Sequence, residues 1–118
     1  MVTIEQIAEA ALNRDGLLLR SLTQDMLSKH PILSDCPKPE TDDPRILAAA
    51  ASLIELFAMR LDQAPPPWAK SIGALPEPIY LLKAAATMKR LRTLCETEAP
   101  EPLRKRGFFA PPNFLEFA

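Results

Sequence analysis

DDPRILAAAASLIELFAMRLD, residues 42–62, is the stretch that decides the fold. Asp43 followed by Pro44 is a strong helix start. The carboxylate accepts from an orphan amide, and proline at the first helical position loses no needed N–H. Ile46, Ala50, Leu53, Ile54, Phe57 and Leu61 then recur at helical spacing. Leu47, Ala51 and Leu56 widen the stripe, so this helix is apolar on most sides and is expected at the centre of the protein. APPPW, residues 64–68, ends it sharply, because three prolines cannot continue a helix.

N-terminal to it, Ile4, Ile7, Ala8, Ala11 and Leu12 form one helical stripe. Thr3 and Gln6 fit a capping box. Asn13 to Gly16 reads as a break, with Asp15 capping a second helix whose stripe is Leu18, Leu19, Leu22 and Met26. A single helix running through Gly16 is the competing reading, since one glycine costs only about 1 kcal/mol. Residues 29–43, with Pro31, Pro37 and Pro39, read as an irregular loop.

C-terminal to it, Pro78 is expected to start a fourth helix through about Glu96. Ile79, Leu82, Ala86, Leu91 and Leu94 would face inward, and Lys83, Lys89, Arg90 and Arg92 would be solvated. Pro100 and Pro102 end that helix and open a short helical turn at 103–106. Valine occurs once, and no β-branched alternation marks a strand. The expected fold is therefore all-α. It is a single domain over 1–118, a small bundle of four main helices with a short C-terminal helix and a docked aromatic tail at 107–118.

That tail, GFFAPPNFLEFA, holds four of the five phenylalanines: Phe108, Phe109, Phe114 and Phe117. Termini are usually polar and frayed. An apolar end broken by two prolines must dock on its own domain or on a partner. Arg104, Lys105 and Arg106 precede it. Trp68, behind its proline run, is either a lid on the helical core or a stiffly held anchor for a partner. The partner-facing residues expected from sequence are Trp68, Arg104, Arg106, Phe108, Phe109, Phe114 and Phe117.

Chemistry is poorly signalled. His30 is the one histidine, and it is followed by Pro31 with no partner at catalytic spacing. Cys36 and Cys95 have neither disulfide-framework nor metal-site spacing and read as free thiols. Cys95 sits near basic residues, which could lower its pKa, but no nucleophile signature accompanies it. Three glycines leave no room for a Rossmann or P-loop motif. No catalytic residue, cofactor or metal is expected, and the chain is not read as an enzyme.

The chain carries a formal net charge of −1, which argues against strong generic affinity for nucleic acid. The charge is uneven: residues 1–63 sum to −4 and residues 64–118 to +3. Lys89-Arg90-Leu91-Arg92 and Arg104-Lys105-Arg106 could join one basic patch, with Phe108 and Phe109 to stack on bases. A helix-turn-helix in 3–29 is disfavoured, because its second helix carries only Arg20 and Lys29 as basic groups. No leader pattern opens the sequence, and no apolar run approaches the roughly 20 residues that span a bilayer. A soluble cytoplasmic protein with no membrane attachment is the expectation.

Four stretches carry a resemblance: ALNRDGLLLRSLTQDML (11–27), DDPRILAAAASLIELFAMRL (42–61), PPPW (65–68) and EAPEPLRKRGFFAPPNFLEFA (98–118). The chain resembles a group of uncharacterised small bacterial helical proteins encoded beside nucleotidyltransferase-like genes of the toxin–antitoxin or abortive-infection type. The most specific part is the ending, where a basic patch leads to an aromatic, then Pro or Ser, Asn and Phe-Leu. The resemblance implies a partner or antitoxin of the neighbouring nucleotidyltransferase-like protein and assigns no catalytic residues. The class alternative is a small nucleic-acid-binding regulator using the basic C-terminal half. A homo-oligomeric structural protein is the third reading.

Overall fold

In the computed structural model, which describes residues 3–29, 31–82, 85 and 87–115, the central helix α3 spans Pro44–Arg60. Asp43 caps it, its Oδ1 accepting from the Arg45 amide at 2.9 Å. Every residue from Ala48 to Ala58 is buried. Two polar side chains fall inside that run. Ser52 satisfies its hydroxyl on the Ala48 carbonyl at 2.8 Å. Glu55 is met by two cations described below.

The helix stops in a Schellman turn. Asp62 takes φ +56°, and the amides of Asp62 and Gln63 reach back to the carbonyls of Met59 (3.4 Å) and Ala58 (2.8 Å). Leu61 is the C-cap at this turn and is exposed, so the apolar stripe expected from sequence ends one turn earlier.

Helix α1 spans Ile4–Leu12 and α2 spans Gly16–Ser28. The capping box is present, with Gln6 N donating to Thr3 Oγ1 and Thr3 N to Gln6 Oε1. The break before Gly16 is a second Schellman turn. Arg14 sits at φ +56°, and the Arg14 and Asp15 amides bond the carbonyls of Ala11 and Ala10. Asp15 then caps α2 through Leu18 N at 3.1 Å. The single-helix alternative is thereby excluded. The most extensive interhelical contact is between α1 and α3. Both helices bury small side chains, Ala8, Ala10 and Ala11 on one and Ala48 to Ala51 on the other.

The proline segment after α3 is extended at Pro66 (φ −65°, ψ 145°) and then turns into the short helix α4, Pro67–Lys70. The expected fourth helix does not start at Pro78. Residues Ile79–Tyr80 form strand β1 instead, helix α5 covers Lys89–Glu98, and a one-turn helix α6 covers Glu101–Arg104. Strand β1 runs parallel to β2, Phe108–Phe109, in the register Ile79 with Phe108 and Tyr80 with Phe109. The amides of Ile79 and Leu81 donate to the carbonyls of Gly107 (2.8 Å) and Phe109 (3.0 Å). This small sheet corrects the expectation of a purely helical chain. Pro78 and the stripe behind it are compatible with a helix, but pairing with the tail outweighs that local preference. Ala86 and Lys83, expected in that helix, lie outside the described residues.

The protein is mostly helical, and one contiguous apolar cluster runs from Ile4 to Phe114. The tail is part of that cluster. Phe108 and Ala110 are fully buried and Phe114 nearly so. The Arg60 guanidinium ties the tail down by donating to the carbonyls of Phe114 and Pro112. Phe117 lies outside the described residues.

Candidate functional site

The residues singled out from sequence divide between core and surface. Arg106 is only 2% exposed and is the largest fully buried side chain among the described residues. Its Nε donates to the Ile72 carbonyl at 3.0 Å and its Nη2 to the Ala69 carbonyl at 2.7 Å. Its Nη1 donates to the Pro102 carbonyl at 3.2 Å and to Glu55 Oε1. Lys105, half-exposed, adds a second ion pair to the same Glu55 oxygen at 3.1 Å. Burial pushes the Glu55 carboxyl up. The hydrogen bonds and charges of Arg106 and Lys105 outweigh that and hold it below the usual carboxylate value. One guanidinium thus joins α3, α4 with the turn after it, and α6.

Arg106, Phe108 and Phe114 were expected at a partner-facing surface, and in this fold they hold the body together. Arg104 is exposed and donates to the Thr97 carbonyl near the end of α5, at 3.1 Å. Trp68 is half-buried against the core, its indole N–H donating to the Cys36 carbonyl at 2.8 Å. It therefore packs down on the proline-rich loop.

Phe109 is half-buried, and beside it Arg92 of the candidate basic patch meets Tyr80 and Glu96, which sequence reasoning did not single out. The rings of Tyr80 and Phe109 stand 5.4 Å apart, tilted by 41°. The Arg92 guanidinium sits 5.0 Å above the Tyr80 ring. The Tyr80 hydroxyl donates to Glu96, and Arg92 pairs with the same carboxylate oxygen at 3.4 Å. Glu96 and Arg92 are one helical turn apart on α5, so the helix fixes their spacing. Tyr80 is the one tyrosine of the chain. That rarity was its available signal. Met88 is largely exposed at the N-cap of α5, ahead of exposed Lys89 and Arg90.

A second feature was read from sequence only as an irregular loop. Residues 31–40 fold over the N-terminus of α1 and the C-terminal end of α2, leaving a half-open apolar groove of about 460 Å³. Ile4, Met26, Ile32, Leu33 and Cys36 line it. Three hydrogen bonds pin the loop. Gln63 accepts from the Leu33 amide at 3.0 Å and donates to the Pro31 carbonyl at 3.3 Å, and the third is the Trp68 bond to Cys36.

Both cysteines are free thiols. Burial raises the pKa of Cys36. Burial first, then the neighbouring Glu96 charge, raises that of Cys95. Among the described residues no group of histidine, cysteine or carboxylates could hold a metal ion. His30 lies outside them. No helix among the described residues is long and apolar enough to cross a membrane. Comparison with protein-family models, curated proteins and solved structures finds no match to this chain.

Proposed function

We propose that this small helical bundle is a non-enzymatic binding protein that holds a protein partner through the surface around Tyr80, Phe109 and Arg92. The supporting observation is that cluster. Two half-buried aromatic rings are fixed by strand pairing, with a guanidinium stacked on one of them. Tyrosine and arginine are the residue types that most often dominate interface energetics, and rings held in place lose little freedom on binding. The basic first turn of α5 gives the surface a positive edge that suits an acidic partner face. The partner class is the one the resemblance of residues 98–118 implies, a nucleotidyltransferase-like protein kept in check as by an antitoxin.

The test is co-expression with such a protein from the same genome. The expected result is a stable complex with suppressed transferase activity, lost on Phe109→Ser combined with Arg92→Glu while circular dichroism stays unchanged. Unaltered activity and no complex would refute the reading.

The second reading, a nucleic-acid-binding regulator, draws on the same observation. Lys89, Arg90 and Arg92 are exposed on α5, the helix whose Arg92 covers the Tyr80 ring of the aromatic edge. Salt separates the two. Binding to a polynucleotide should fall steeply between about 50 and 200 mM salt, whereas a mainly apolar protein interface should not respond so strongly.

A further inference from the structure

We propose that the groove between α1, the end of α2 and the proline-rich loop is a ligand site for a lipophilic amine, a molecule with an apolar body and a protonated nitrogen. The proposal is independent of the protein-binding surface, since no groove residue belongs to it.

The groove is preformed. Gln63 and Trp68 do not line it, yet their three hydrogen bonds fix the backbone of the loop that does. A wall held from outside the groove spares a ligand the cost of ordering it. At about 460 Å³ the space falls in the usual range of small-molecule sites, roughly 300–1,000 Å³. Ile4, Met26, Ile32 and Leu33 supply the apolar lining that accepts the body of such a ligand.

Charge and hydrogen-bonding capacity select the head group. Glu5, Asp35 and Glu40 line the groove, against Lys29 and Lys38. Lys29 already faces Asp25 at 3.8 Å, so the carboxylates outnumber the remaining ammonium. The groove also lies wholly in the half of the chain whose net charge is −4. Pro31, Pro37 and Pro39 have no amide hydrogen, so the loop offers more acceptors than donors. An ammonium group supplies both the positive charge and the donors, whereas a carboxylate or phosphate would meet like charge.

Trp68 is the one tryptophan, and its indole is bonded to the groove wall, so it reports on occupancy. Full-length protein is titrated with decylammonium, decanoate and decanol below their micelle-forming concentrations. Trp68 emission and calorimetry follow the binding. Decylammonium is expected to saturate at one per chain with a change in emission, and to bind at least about tenfold more tightly than decanoate. Replacing the three carboxylates together (Glu5→Gln, Asp35→Asn, Glu40→Gln) should weaken decylammonium by roughly tenfold and leave decanol unchanged. Should that triple variant lose its helical signal, Glu40→Gln alone, at an exposed position, should weaken decylammonium in the same direction. The proposal fails if decylammonium does not saturate, if decanoate binds equally well, or if the folded carboxylate variants bind it undiminished. It also fails if the protein is a dimer that Ile32→Arg dissociates, because a second copy would then cover the groove.

Discussion

Glu55 and Arg106, fifty-one residues apart, form a buried ion pair that fastens the C-terminal arm to the central helix. The arginine completes its bonding on three backbone carbonyls, so little of its donor capacity is wasted. Removing one partner of such a pair strands a buried charge. Glu55→Ala is expected to cost about 3–5 kcal/mol in urea unfolding, and Arg106→Met a similar amount. The double variant Glu55→Leu/Arg106→Met should recover much of that loss, since apolar pairs of similar volume often replace buried ion pairs at little cost. A double variant as unstable as the sum of the singles would show that the carbonyl contacts, not the pair, dominate.

The same pair sets an acid limit. The Glu55 carboxyl is held below its usual value in the folded protein, so its contribution is fully present above the unfolded pKa of about 4.3. It is lost as pH falls through the lower folded value. Melting temperature measured downward from pH 6 should therefore drop below about pH 4. In Glu55→Gln this part of the drop should be shallower, and an identical profile would assign the acid sensitivity to other carboxylates.

Gly107 turns the chain from α6 into β2 with φ +88°. An added Cβ would meet only ordinary contacts, the nearest being the Glu77 carbonyl oxygen at 3.7 Å. The cost of substitution is thus conformational rather than steric crowding. Gly107→Ala is expected to lose about 1–2 kcal/mol, the usual penalty of a left-handed backbone for an L-residue. A neutral result in thermal unfolding would mean the turn relaxes without disturbing the strand pair.

What could be read from sequence was what local chemistry decides. The α3 start follows from Asp43-Pro44, the α1 start from Thr3 and Gln6, and the break from Asp15 and Gly16, all within a turn of helix. What could not be read depends on distant partners. Ile79 and Tyr80 carry no strand signature, because a two-residue strand is too short to show alternation. Its partner strand lies beyond α5 and α6. Arg106 looks like Arg104 in sequence, and only the position of Glu55 separates a buried hub from a solvated side chain. The aromatic tail was expected to dock on the body or on a partner, and its Phe108, Ala110 and Phe114 are buried in the body. The residues left accessible beside it, Tyr80 and Arg92, were set by strand register and helix placement that no local pattern encodes.

Truncation after Arg106 removes β2 together with Phe108, Ala110 and Phe114, which are all buried, and leaves Arg60 without the carbonyls it holds. Burying one large apolar side chain contributes about 1.5–3 kcal/mol, so losing two phenylalanines removes a large part of the roughly 5–15 kcal/mol that stabilises a domain. The truncated protein should unfold or aggregate near room temperature. Phe109→Ser alone, at a ring that is only half-buried, should leave it folded. Circular dichroism melts of the two variants side by side make the distinction. A truncated chain that melts cooperatively near the full-length temperature would mean that the tail adds little to the core, and that its aromatic rings serve some purpose other than holding the body together.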